Sequence, residues 1–535
     1  MIKTKYIVSL FLILMMLPIL TIFSYLFVPS TEIWSHLIDN LLLTYLFNTA
    51  FIVLWVSLFT FLIGVSCAWL ITMYDFPGKN IFRWLLVFPI AIPAYVSAFI
   101  YAGLFEPSGI FFDMTEQLFG MGANLYRTVD MRNIYGVIFI LTVCLYPYVY
   151  LLCYSTFNQQ SYCVFEVGRS MGLNNTDCFL KIGLPLARPG IIAGLSFVIM
   201  ETLAEYGTVD YYGVSTFTTG IFRAWFAFGD ESSSLHLASI LLTFVFIVMI
   251  VEKYSRGKSQ YFHTSQIMRN VRQQNLFGLK SFFAFSWCSL IVLVSSIIPI
   301  IQLLLWFFDT YFSIFEYSYF QLIWNTTWIA GISSLIIVLI SLYFCYLDRS
   351  LKSIFTNLSL KILSLGYSIP GVVIAIGIMT PIAFLDEFQS NLTGGQPFFY
   401  LSGSFIALIL AYAIRFSTIS LKTNESGLSK IKNNIDLTAR SYGMTKISII
   451  KKIHAPMMKV TIITSLILVF VDVVKELPAT LIMRPFNFNT LAVNIYELAS
   501  AEQLSYIASP ALTLIIISLI PVIILTRKTI SDEKE

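Results

Sequence analysis

The chain predicts an all-α membrane protein of about twelve transmembrane helices, arranged as two parallel six-helix repeats. Three observations carry that prediction. The 535 residues are 57% hydrophobic and only 12% charged, with a mean hydropathy of +0.80, too apolar for a water-soluble globule of this length. Apolar runs long enough to cross a bilayer, which takes about 20 helical residues, recur about twelve times. Two polar stretches, EVGRSMGLNNTDCFLKIGLP from Glu166 to Pro185 and LTARSYGMTKISIIKKIHAP from Leu437 to Pro456, superimpose at a constant offset of 271. That offset pairs Arg169 with Arg440, Gly172 with Gly443, Ile182 with Ile453 and Pro185 with Pro456.

The N-terminus, MIKTKY followed by apolar residues to Val28, has a basic start but no small-x-small cleavage site, and reads as an uncleaved first span over 6–28. Further spans are expected at 49–73, 84–105, 135–157, 190–209 and 235–251. A matching six lie at 281–306, 323–346, 362–385, 403–421, 460–483 and 506–526. The repeat extends beyond the polar stretches: Asn48-Thr49 matches Asn325-Thr326, and Ile92-Pro93 matches Ile369-Pro370, both at an offset of 277. The expected organisation is a first repeat over 1–253, a polar linker over 254–280 and a second repeat over 281–535, with polar loops at 158–188 and 429–459. Pro93, Pro147 and Pro370 interrupt spans and are expected to kink them.

Charge orients the spans. Lys79, Arg83, Arg169, Lys181, Arg188 and a dense basic set from Lys422 to Lys459 fall in alternate loops, whereas the intervening loops carry no lysine. The positive-inside rule then puts both polar loops and both termini in the cytoplasm. A net charge of +4 without a basic tract excludes a nucleic-acid binder. Seven cysteines without a CxxC pair indicate neither a disulfide framework nor a zinc site.

Within each polar loop the residues before the central glycine can form a short helix. Gly172 or Gly443 suits its C-cap, and Pro185 or Pro456 is expected to end a second short helix before the next span. A helix-glycine-helix elbow on the membrane surface is a lever that reaches two spans at once. The fifth and eleventh spans carry acids at i,i+4, Glu201 with Glu205 and Asp472 with Glu476, again superimposed at 271. Charge at membrane depth usually faces a protein interior or a water-filled path, so these four are expected either to line a translocation route or to pair structurally, as Asp472 could with Lys475. Oxygen donors suit a hard cation; Glu205 and Glu476 are the candidate metal-contacting acids, and Tyr206, Asp210, Tyr211 and Tyr212 lie close by.

The loop pattern E-A-A, three residues, G, nine residues, I-x-L-P resembles the coupling loop of binding-protein-dependent ABC importer permeases. Glu166, Gly172, Ile182, Leu184 and Pro185 match, with Val167 and Gly168 at the alanine positions; the second copy matches at Ala439, Gly443, Ile453 and Pro456, with Leu437 and Thr438 preceding and Asp436 one place early. LYPYVYLL at Leu145–Leu152, the stretch Glu201–Phe226 and the stretch Val471–Ala492 make the fused chain similar to ferric-iron ABC importer permeases. The resemblance implies inner-membrane localisation and ATPase contact through the two loops. It also implies as partners two copies of a cytoplasmic ABC ATPase, an extracytoplasmic solute-binding protein and membrane lipid, and no enzymatic activity or cofactor in this chain. ATP and Mg²⁺ are used by the ATPase, since Gly257-Lys258-Ser259 lacks the glycine loop of a Walker A site. Related permeases carry thiamine, phosphonate, sulfate or polyamines on the same plan, and an ion-coupled secondary transporter is the reading of a different class; it has no need of two matched elbows.

Overall fold

A computed structural model of the chain describes residues 2–29, 31–106, 109, 111, 116–117, 130–159, 167–256, 274–310, 317–351, 353–395, 397 and 399–532. Among these, nine helices are long and apolar enough to cross a membrane, and three bent pairs bring the number to twelve. The long helices are α1 (Ile2–Ser24), α2 (Leu42–Met73), α3 (Ala94–Leu104), α4 (Ile134–Gln159), α5 (Leu184–Ala204) and α6 (Glu231–Arg256). In the same order follow α7 (Leu279–Thr310), α8 (Tyr317–Leu351), α9 (Gly371–Thr393), α10 (Phe405–Ser429), α11 (Lys459–Val474) and α12 (Ala508–Asp532). Their outward faces keep large apolar side chains exposed, Leu43, Phe47, Leu54 and Phe308 among them. That is the surface a hydrocarbon solvent selects, and helices are the form that satisfies every backbone group within it.

Four expected spans, 84–105, 190–209, 362–385 and 460–483, differ from the structure for one reason, a break next to a proline or an acid. The run 84–105 is not one helix: Lys79–Leu85 and a 3₁₀ turn at Phe88–Ala91 meet α3 at 94°. Pro93 is the N-cap of α3 and Pro370 that of α9, each after an extended isoleucine, Ile92 with ψ 114° and Ile369 with ψ 125°. A residue before proline is pushed out of the α region, so these prolines start helices rather than kink them; Pro147 does lie inside α4. The fifth span ends at Ala204 rather than 209 and the eleventh at Val474 rather than 483, each followed by a short helix, Gly207–Tyr211 and Pro478–Met483.

The halves exchange their first helices. Leu12, Met15, Ile19 and Ile22 of α1 join a core cluster that runs through both halves and takes in α9, and Ala284, Cys288, Ile291 and Val292 of α7 join the cluster of the first half, while Leu303 of α7 belongs to the shared one. Glycines receive both intruders: a Cβ on Gly377 of α9 would lie 2.8 Å from Pro18 Cβ, and one on Gly103 of α3 would lie 2.6 Å from the Trp306 ring. A two-residue parallel bridge, Tyr74–Asp75 on Gln274–Asn275, pins the end of the expected linker to the first half.

Candidate functional site

The acids that the 271 offset superimposes all line one cavity of about 120 Å³ between the halves. The pairs do not share a helix face, because each helix ends between its two acids. Glu201 lies in α5, but Glu205 is its C-cap with extended backbone, φ −67° and ψ 130°. Asp472 lies in α11, and Glu476 follows the C-cap Lys475. Glu205 and Glu476 instead turn their carboxylates onto the next short helix: Oε1 of Glu205 accepts from Thr208 N–H at 2.8 Å, and Oε1 of Glu476 from Ala479 N–H at 3.0 Å. A carboxylate there satisfies an otherwise orphaned donor and complements the positive end of the helix.

Two further contacts cross between the halves. Tyr367, in the turn before Pro370, donates to Glu201 Oε1 at 2.5 Å, and Lys475 Nζ donates to Ile90 O, in the turn before Pro93, at 3.0 Å. Lys475 also lies 3.8 Å from Asp472, so the structural pairing foreseen for that acid exists alongside its place in the cavity. Arg415, mid-helix in α10 and buried, sets Nη1 3.2 Å from Glu476 Oε1. Gly371 makes room for that pair, since a Cβ there would stand 2.2 Å from Arg415 Nη1. The cavity thus holds four carboxylates against two bases, a formal excess of two negative charges. Among the described residues no group of three or more His, Cys, Asp or Glu is gathered closely enough to hold a metal ion. Arg415 escaped the sequence reading, although a lone arginine inside an apolar run is itself a pointer to a buried path.

The two polar loops form elbows at the other end of α5 and α11. Gly172 and Gly443 have φ +84° and +74°, and each closes the turn expected of it: Leu173 N–H bonds Gly168 O, and Met444 N–H bonds Ala439 O, both at 3.1 Å. Open space surrounds both glycines, so backbone conformation alone demands them. Gly168 is closely packed, a Cβ there falling 2.5 Å from Ile182 Cδ1, the movable end of that side chain. Glu166 lies outside the described residues. Exposed apolar side chains crown the elbows, Val167 and Met171 on the first, Leu437 and Tyr442 on the second, and Thr438 is exposed beside them.

The second arms correct the sequence expectation. Pro185 does not end a helix: the π-helical stretch Cys178–Gly183 runs straight into α5, so 175–204 is one continuous helix with Leu184 and Pro185 inside it. The second elbow repeats the π stretch at Ile450–His454, which includes Ile453, but its arm breaks after Ala455–Met457, Pro456 included, and meets α11 at 67°. Position matches position at the packing level: a Cβ on Gly183 would lie 2.7 Å from Trp69, and His454 stacks on Tyr346 with centroids 5.4 Å apart. The second elbow is tied by an ionic clamp to α8, whereas the ion pair described in the first, Lys181 with Asp177 at 3.2 Å, stays within its own arm. Asp436 accepts from Arg349 Nε at 2.8 Å and holds His454 Nε2 at 2.6 Å, while Arg349 also binds Leu428 O and Ile431 O.

Comparison with known proteins agrees with this geometry. The family model described as "Binding-protein-dependent transport system inner membrane component" matches residues 60–258 and again 338–527. The Fe(3+)-transport system permease protein FbpB 2 of Haemophilus influenzae is 25% identical over 528 residues, 97% of each chain. The sulfate transport system permease protein CysT of Salmonella typhimurium is 25% identical over 156 residues, 29% of this chain and 52% of its own. The maltose/maltodextrin transport system permease protein MalF of Vibrio vulnificus is 26% identical over 209 residues, 36% of this chain and 39% of its own.

Proposed function

Because the chain belongs to the family of binding-protein-dependent transport system inner membrane components, we propose that it is the permease through which an ABC importer carries ferric iron. The observation that carries the cargo assignment is the acid-lined cavity between the halves, with its formal excess of negative charge. Similarity to a ferric permease along 97% of both chains supports the same reading, and carboxylate oxygen suits a hard cation.

In this mechanism the elbows lie in the cytoplasm, and each is gripped by one copy of an ATPase subunit through the exposed Val167, Met171, Leu437 and Tyr442. ATP-driven closure of the two ATPase copies moves both elbows together. The continuous helix 175–204 and the bent arm before α11 carry that motion to Glu205 and Glu476, and the halves rock about their exchanged first helices between two states. An extracytoplasmic binding protein delivers the ion to the opposite face. The lone pair of matched elbows, at constant spacing, favours this over ion-coupled secondary transport, which has no ATPase to receive.

The test exploits the double role of the acids. Glutamine at 205 and 476 keeps the carbonyl oxygen that caps the short helices but removes the charge. In proteoliposomes carrying the whole transporter, Glu205→Gln with Glu476→Gln is expected to lower radiolabelled iron uptake at least tenfold; because Glu476→Gln also leaves the buried Arg415 without its anion, the variant is required to elute as wild type on size exclusion before it is assayed. Unchanged uptake and unchanged ATPase coupling would end the translocation role. A cognate binding protein that holds thiamine or phosphonate and not Fe³⁺ would end the ferric assignment.

A further inference from the structure

Beside the acid cavity, on the side away from the elbows, three oxygens from the two halves converge. Tyr496, in the short helix Leu491–Ser500 of the second half, donates to Asp210 Oδ2 at 2.6 Å, and its hydroxyl lies 3.2 Å from that of Tyr206. Tyr206 and Asp210 belong to the first half, around the short helix Gly207–Tyr211. Tyr206 is 1% exposed and also lines the cavity next to Glu205. Arg132, which reaches this helix at Tyr211, is held by Glu106 at 2.8 Å and by the Tyr211 hydroxyl at 3.2 Å.

We propose that Tyr206, Asp210 and Tyr496 form a binding station for the cargo ion, two phenolates and one carboxylate, that precedes the acid cavity on its path. The proposal rests on the ferric reading above. Two spacings support it: neighbouring oxygens around a six-coordinate ion at about 2.0–2.1 Å are about 2.9 Å apart, and the observed 3.2 and 2.6 Å bracket that value. Phenols titrate near 10 in water, but a bound highly charged cation displaces ligand protons. Two Fe–O bonds form as two phenolic O–H bonds break, both protons pass to water, and the iron stays ferric. Water fills the remaining positions. Because Tyr496 comes from one half and its two partners from the other, rocking of the halves opens the triad and leaves the ion beside Glu205.

The experiment uses the whole permease in lipid nanodiscs, titrated with ferric nitrilotriacetate and read by visible absorption, where phenolate-to-iron charge transfer gives a band that carboxylates alone do not. Wild type is expected to develop the band. Tyr206→Phe or Tyr496→Phe should lose at least half of it and the double variant all, whereas Glu205→Gln with Glu476→Gln should keep it. Asp210→Asn, which leaves both phenols in place, should weaken iron binding at least fivefold, and each variant is required to elute as wild type on size exclusion. Absence of the band in wild type, or its survival in the double phenylalanine variant, overturns the station. If iron uptake persists without the band, the station falls and the ferric reading stands; if the binding protein holds no Fe³⁺, both fall.

Discussion

At Gly371 a single missing methyl group permits a buried ion pair. Its Cβ would stand 2.2 Å from Arg415 Nη1 and 2.6 Å from Glu476 Oε1, so Gly371→Ala, which ordinarily favours a helix, is expected here to displace Arg415 and lower transport severalfold. Uptake assays check this, and wild-type transport in Gly371→Ala would refute it. Asp436 is the second telling residue. Burial alone would raise its carboxyl, but hydrogen bonds and charge from Arg349 and His454 outweigh burial and hold it below the usual carboxylate value of 3.8. A lowered folded-state value means that its stabilisation is complete above that usual value and fades as pH falls through the lowered one. Asp436→Asn leaves Arg349 without its anion in a mostly buried site and should cost about 2–4 kcal/mol, measured as a lower unfolding temperature at neutral pH. The difference between wild type and variant should shrink in acid below about pH 4.

Among the elements, the elbows show what sequence could and could not supply. Repeated spacing located them and the need for glycine at 172 and 443, because a left-handed residue closing a short helix is a local requirement. The acids were legible as a set, since charge in an apolar run has few explanations. The breaks that take each pair off a shared helix face were not legible: a helix that stops at Glu205 or Lys475 keeps the same apolar composition as one that continues. Nor were the π-helical stretches, which leave no mark in periodicity, or the clamp, which joins Asp436 to a span 87 residues away in sequence. The clamp predicts unequal elbows. Alanine at either glycine must adopt the left-handed conformation at about 1–2 kcal/mol, but the second elbow has Arg349, Asp436 and His454 to hold its helix in place. Gly172→Ala is therefore expected to reduce binding-protein-stimulated ATP hydrolysis more than Gly443→Ala does. Equal losses in the assembled transporter would count against that reading.

For the molecule as a whole, the exchanged first helices matter more than the covalent linker. α1 is packed into the second half and α7 into the first, with Gly377 on Pro18 and Gly103 on Trp306 as close contacts. Cutting an inserted protease site within residues 257–273 is expected to leave the two fragments together on size exclusion in mild detergent; separation would show that the linker, not the exchange, unites them. The exchange also bears on how the protein is made. When α6 leaves the ribosome, the face of the first half that α7 will cover has no protein against it, and Trp306 has yet to be synthesised. At about 5–20 residues per second, the remaining stretch of about 50 residues takes several seconds. During that interval the nascent bundle must rely on lipid or an insertion chaperone to shield the groove, so biogenesis, rather than the finished transporter, is where a defect in α7 would first be felt.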